Sequence, residues 1–219
     1  MIIQYYGDYC FKISTKPGGR ATEDIVIWTD PLEKGAGLRS PQGEADIVFF
    51  THGDGEAARE SLKGSPVILD CPGEYAAKGI SAMGFPAFQD DKEGSVSGQN
   101  TIFAFESEEM HIVFLGALGH DLSPETLDRL GSTDILFLPV GDHKALSPEV
   151  AAQLVRKIEP NIVILMHYKM PGLTLALENE KAFCDAIGNC PKEALPKLNI
   201  KKKDLEGRTL ETVLLERGS

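Results

Sequence analysis

The feature that most constrains this chain is a set of strand-sized apolar blocks, each running straight into polar residues. Ile47-Val48-Phe49-Phe50 leads to Thr51-His52, and Ile162-Val163-Ile164-Leu165 leads to Met166-His167. A block with no polar alternation suits a strand buried on both faces, and such a strand needs covering layers on both sides. Related runs predict strands over 2–6, 10–14, Ile25–Thr29, 46–51, 67–70 and 101–105. Others fall at 111–116, 134–140, 161–167, 198–202 and 211–215.

Helices fit between these runs. Ser123-Pro124-Glu125 combines a capping serine, a proline at the first helical position and an acid in the first turn. Ser147-Pro148-Glu149 repeats the signal and opens a helix through Lys157, with Val150, Leu154 and Ile158 on one face. A third helix is expected over 176–187 and a shorter one over 55–62. The 89–100 segment is polar and rich in Gly and Ser, so it reads as a surface loop. No internal repeat or linker divides the chain. A single domain over residues 1–219 is expected, with layered α/β architecture.

Several function classes are disfavoured. The formal charge of −11 argues against a nucleic-acid surface, which must neutralise phosphates. The exception, Lys201-Lys202-Lys203 with Lys197 nearby, reads as a solvated strand edge or loop. No run approaches the ~20 apolar residues of a membrane span. The first residues lack the basic and apolar regions of a signal peptide. Cys10, Cys71, Cys184 and Cys190 form no CxxC pair and read as reduced thiols of a cytoplasmic protein, with Cys71 buried and inert.

The chemistry-bearing residues gather where strands end. After the 46–51 strand comes Thr51-His52-Gly53-Asp54-Gly55-Glu56-Ala57. Two glycines allow a sharp turn that could bring His52, Asp54 and Glu56 together, and imidazole and carboxylate both bind zinc, manganese or iron. The competing reading makes Asp54 the cap of the short helix and Glu56 a first-turn acid. Later strands deliver Gln89-Asp90, Gly119-His120, Asp142-His143 and His167-Tyr168 in the same way. That is where α/β folds place their sites.

Five segments together carry a resemblance. They are Pro72-Gly73-Glu74-Tyr75, Gly98-Gln99-Asn100-Thr101-Ile102, Leu115-Gly116-Ala117-Leu118-Gly119-His120, Pro139-Val140-Gly141 and Met166-His167-Tyr168-Lys169. In this order the chain resembles the metallo-β-lactamase superfamily, over roughly residues 1–170. Within it, the chain is similar to the small L-ascorbate-6-phosphate-lactonase-like metal-dependent hydrolases. The resemblance implies a four-layer αββα sandwich with a di-metal site along its edge.

Measured against the HxHxDH motif of that family, only His52 matches. Asp54 stands for the second histidine, Glu56 for the aspartate and Ala57 for the last histidine. Gln89 replaces a later histidine, with Asp90 retained beside it. Ala117 replaces the aspartate that bridges the metals, while His167 matches the final histidine ligand. His120 matches as a site-adjacent residue, and His143 falls where this branch has a substrate-side loop.

Two metals hold and activate the hydrolytic water in this family. Alanine cannot ligate, and without a bridging carboxylate two nearby cations repel. Two readings follow. One is a non-catalytic binding or scaffold protein, with a pocket for a small-molecule ligand lined by His120 and His143. The other is a divergent hydrolase of a small phosphorylated or lactone-like substrate, with at most one divalent ion (zinc, manganese or iron) on His52, Asp54, Glu56 and His167. Asp90 would then be a general base or support the ligands.

Overall fold

The computed structural model describes residues 1–17, 23–32, 35–53, 55–142 and 146–218, with Glu56 described by its backbone alone. Strands β1 (Ile2–Gly7) and β2 (Cys10–Thr15) form a hairpin that turns at Asp8 and Tyr9. They continue into β3 (Ile25–Thr29), β4 (Ile47–Phe49) and β5 (Val67–Leu69). The pairing is antiparallel from β1 to β3 and parallel from β3 to β5.

A second sheet starts with β6 (Gly73–Ala77), β7 (Ile80–Phe88), β8 (Gln99–Ser107) and β9 (Met110–Phe114), all antiparallel. It continues in parallel through β10 (Ile135–Pro139), β11 (Ile162–Met166) and β13 (Glu211–Val213). Strand β12 (Leu198–Asn199) pairs with β1 at the edge of the first sheet.

The two inner faces meet in an aromatic core. Phe11 lies 4.8 Å from Phe137, and Phe49 stacks on Phe103 at 4.8 Å. The apolar block at β4 illustrates burial on both sides. Ile47 and Phe49 face the second sheet, whereas Val48 and Phe50 pack with Trp28 and Ala58 beneath helix α1 (Glu56–Ser61). Period-two alternation divides the block in this way. On β10, Phe137 faces inward, so Leu136 and Leu138 face the opposite layer. Helices α2 (Pro124–Leu130) and α3 (Pro148–Ile158) bury Leu130, Ala151, Leu154 and Val155 in the same core. The mixed sheets with their flanking helices make an αββα sandwich.

The two serine caps form as the sequence predicts. Ser123 accepts from the Thr126 amide and Ser147 from the Val150 amide. Other expectations need correction. Residues 73–77 and 80–88, for which no strand is predicted, form an edge hairpin. Ala, Gly84 and Pro86 in β7 mute the apolar signal, while the Lys78-Gly79 turn has both residues at positive φ (53° and 79°), as a type I′ hairpin demands.

Helix α4 spans only Lys181–Ile187. Residues before it form a strap instead, in which the Glu178 amide donates to Gly141 and its carbonyl accepts from Lys169. The predicted strand at 198–202 ends early, and Lys202–Leu205 forms a 3-10 turn, with Lys202 paired to Asp134 at 2.7 Å. Cys184 and Cys190 are not separate thiols. The helix end at Gly188 folds the chain back, bringing their Cα atoms within 5.2 Å in a disulfide. Cys71 is exposed rather than buried, because it lies at the open start of the edge hairpin. Among the described residues, no helix is long and apolar enough to cross a membrane.

Candidate functional site

The ends of β4, β8, β9 and β11 converge at one edge of the sandwich. There the two sheets are stitched together. The Thr101 amide donates to the Thr51 carbonyl at 2.7 Å, and His52 bridges to Asn100. The buried Asn100 side chain donates to the Leu115 carbonyl and accepts from the Ala117 amide, both at 2.9 Å. Between these anchors Gly116 takes φ 59°, and a Cβ there would lie 2.5 Å from Thr51. Only glycine meets both conditions at low cost.

On this floor lies a cavity of about 210 Å³, lined by Asp8, Tyr9, His52, Gln89, Ala117 and His167 among others. A second cavity of about 540 Å³ shares Asp8, Tyr9, His52 and Leu175 with it. The β1–β2 turn places Asp8 at φ 56°, in the left-handed region that short polar side chains tolerate. From there the Asp8 carboxylate accepts from His167 Nδ1 at 2.5 Å, and the Asp8 carbonyl accepts from the His167 amide at 2.9 Å.

His52 is held by a longer chain. The Thr51 hydroxyl donates to Asp30 at 2.7 Å and lies 2.8 Å from His52 Nδ1. A hydroxyl has one proton, so the His52 Nδ1–H donates to Thr51. Both imidazoles therefore have Nδ1 engaged. Burial pushes the Asp30 carboxyl above its usual range, although His52 and the two Thr51 hydrogen bonds oppose the shift.

Tyr9 packs against both histidines. Its ring stacks on His167 with centroids 4.2 Å apart, and meets His52 at 4.9 Å and 71°. Burial, then the carboxylates of Asp8, Asp30 and Asp142, hold the Tyr9 phenol well above its ordinary range. Its hydroxyl makes no hydrogen bond with the described residues and keeps some solvent-accessible surface.

Of the residues singled out by sequence, His52 and His167 are brought together at the cavity. Asp54 and His143 lie outside the described residues, as does the Glu56 side chain. The cap position of α1 falls at Gly55, with φ 58° and no side-chain cap bond, so the helix starts one residue later than a cap at Asp54 requires.

Asp90 organises the loop that follows β7. Its two oxygens accept from the amides of Lys92, Gly94, Val96 and Ser97, and these bonds, Ser97 foremost, lower its carboxyl below the usual range. His120 bonds to backbone on both nitrogens. Nε2 accepts from the Phe88 amide at 3.1 Å and Nδ1 donates to the Asp121 carbonyl at 2.6 Å. It is absent from the described lining of both cavities.

Sequence reasoning missed Asp8, Tyr9 and Asp30. Asp8 and Tyr9 sit in a short Gly-Asp-Tyr turn between two strands, and Asp30 directly follows β3. Each carries the same strand-end signal that marked His52 and His167.

Comparisons with known proteins agree on one fold. A family model described as the beta-lactamase superfamily domain matches residues 2–167. A metal-dependent hydrolase of Listeria monocytogenes is 24% identical over 201 aligned residues, spanning 77% of this chain and 85% of that one. A metal-dependent hydrolase of Bacillus mycoides is 22% identical, spanning 89% and 96%. Among solved structures, a metallo-β-lactamase superfamily protein from Thermotoga maritima has a TM-score of 0.77 at 26% identity, covering 99% of both chains. The isothiocyanate hydrolase from Delia radicum gut bacteria has a TM-score of 0.62 at 11% identity, covering 92% of this chain and 100% of that one, a likeness of fold alone.

Proposed function

The chain belongs to the beta-lactamase superfamily domain family, whose members among its relatives include metal-dependent hydrolases, and from that premise we propose that it keeps the family's fold and pocket without a two-metal reaction. Its role is then to bind a small molecule, as a binding or scaffold protein.

The observation that carries this reading is the donor set at the cavity. Ala117 lines the cavity at the position where the resemblance expects a bridging carboxylate, and a methyl group has no lone pair to share. Gln89 offers an amide where an imidazole is expected, and its nitrogen donates to the Gln99 carbonyl at 3.0 Å. Ala57 replaces a further histidine. Tyr9 lies against both remaining histidines and fills space beside each ring. This set does not fit a di-metal centre, so no hydrolytic step is assigned to it.

What remains is a polar pocket with fixed walls. Asp8 orients His167, and Asp30 orients His52 through Thr51. Such supports hold side chains in one geometry, which lowers the entropy cost of binding.

Thermal unfolding with added zinc, manganese or ferrous ion tests the reading. A native-state ligand at a hundred times its Kd adds about 2.7 kcal/mol of stability. The expected result is an unchanged melting temperature with all three ions. A saturable rise with any of them, abolished by His52→Ala or His167→Ala, would restore the single-ion hydrolase.

A further inference from the structure

We propose that a cavity on the outer face of the first sheet binds a carboxylate carried on a small apolar molecule, with the Trp28 indole as its anchor. Asp8, Tyr9, His52 and His167 do not line this cavity, so the inference goes beyond the binding-protein reading above without depending on it.

The observation that carries it is an orphaned donor. Trp28 is 4% exposed, and its Nε1 is buried with no hydrogen-bond partner. An indole N–H can only donate, so no change of tautomer relieves it. Nearly all buried polar groups are satisfied, and one that is not marks a place for water or a ligand. On its packed side Trp28 meets Val48, Phe50 and Ala58, whose side chains hold no acceptor. Its other border is a cavity of about 230 Å³ between the 38–43 segment and the end of α1. An acceptor for the indole comes from that side.

The rest of the lining selects the acceptor. The Ser40 hydroxyl donates to the Leu32 carbonyl at 3.2 Å and the Ser61 hydroxyl to the Ala58 carbonyl at 2.7 Å, so both protons are committed. Arg39 and Lys63 line the same cavity, are exposed, and form no ion pair with any described residue. A carboxylate gives one oxygen to the indole N–H and keeps its charge beside these two cations. Donation to an ionised oxygen is stronger than donation to a neutral one. Phosphate, with more oxygens to satisfy, finds a single fixed donor here. Leu38 and Pro41, both buried, give apolar wall for the carbon part of the molecule. A few polar contacts set in an apolar wall are the usual make-up of a ligand pocket.

The test uses the full-length protein labelled with nitrogen-15. Trp28 is the single tryptophan of the chain, so one indole N–H resonance reports on this cavity alone. Benzoate, benzamide and benzylammonium are titrated separately, since they share a ring and differ in charge. A saturable downfield movement of the indole proton is expected with benzoate, a smaller one at higher concentration with benzamide, and none with benzylammonium. Arg39→Gln combined with Lys63→Gln alters exposed side chains only and should weaken benzoate roughly three- to tenfold. Trp28→Phe, followed by calorimetry on protein whose melting curve shows it folded, should weaken benzoate about tenfold.

An indole resonance that stays fixed as benzoate is raised overturns the inference. So does benzamide or benzylammonium binding as tightly as benzoate, or benzoate affinity unchanged in the double variant. Benzoate that moves the His52 and His167 resonances and leaves Trp28 in place belongs to the edge cavity, and refutes the assignment made here.

Discussion

Replacing Asn100 with alanine should loosen the seam that holds the site together. In the native protein its side chain makes two buried hydrogen bonds, one to the Ala117 amide and one to the Leu115 carbonyl. Leu115 is fully buried, Ala117 is 7% exposed, and Asn100 itself is 2% exposed, so water is poorly placed to substitute. Each buried group left without a partner costs about 1–3 kcal/mol. Two of them place the loss at about 2–6 kcal/mol. Equilibrium unfolding in urea measures it, with the midpoint falling and the slope preserved. Asn100→Asp should be comparably destabilised, because it can accept from Ala117 but presents an acceptor to the Leu115 carbonyl. An Asn100→Ala protein within about 0.5 kcal/mol of the parent, the range of an ordinary surface change, would refute the argument.

Three further outcomes are expected. Gly141→Ala would set a Cβ 2.3 Å from the His167 carbonyl and 2.6 Å from the Tyr168 Cα, so overpacking should cost about 1–3 kcal/mol in the same unfolding assay. Burial raises the Glu108 carboxyl, but the Met1 amino group at 2.6 Å, the Lys16 amide and the Thr15 hydroxyl outweigh it and hold it below its usual range. A depressed native pKa stabilises above the unfolded value, here 4.5, and that contribution fades as pH falls through the native one. Glu108→Gln should therefore be less stable than the parent at pH 7, with the gap closing in acid; an equal gap at pH 3 contradicts the pairing. Denatured, unreduced protein should titrate two free thiols, Cys10 and Cys71, whereas four would contradict the Cys184–Cys190 bridge.

Much of the scaffold was legible because burial on both faces leaves an unmistakable trace. The blocks at β4, β10 and β11 are apolar without interruption, and the Ser-Pro-Glu starts of α2 and α3 are local chemistry that tertiary contacts do not override. The β6–β7 hairpin was hidden for the opposite reason. Only five of its fourteen strand residues are buried, and Ala, Gly and Pro carry little apolar signal. The strap before α4 carries a helix-like sequence, and its backbone partners, Gly141 and Lys169, are fixed only in three dimensions.

At the site, sequence identified His52 and His167 but not what holds them. Asp8 lies 159 residues from His167, and the Asp30–Thr51–His52 chain joins the ends of two strands. Such pairs have no periodicity to betray them. Asp90 shows the converse. It matched a family position, yet its hydrogen-bonding capacity goes to the loop it closes.

On the proposed reading, the alanines at 57 and 117 and the Tyr9 packing leave the site without a working metal centre. The most direct measurement is elemental analysis of the protein purified without chelator from metal-supplemented growth, expressed as equivalents per chain. Transition metal well below one equivalent is expected, unchanged in His52→Ala and His167→Ala variants. Two equivalents per chain, or one that disappears when either histidine is replaced, would contradict it.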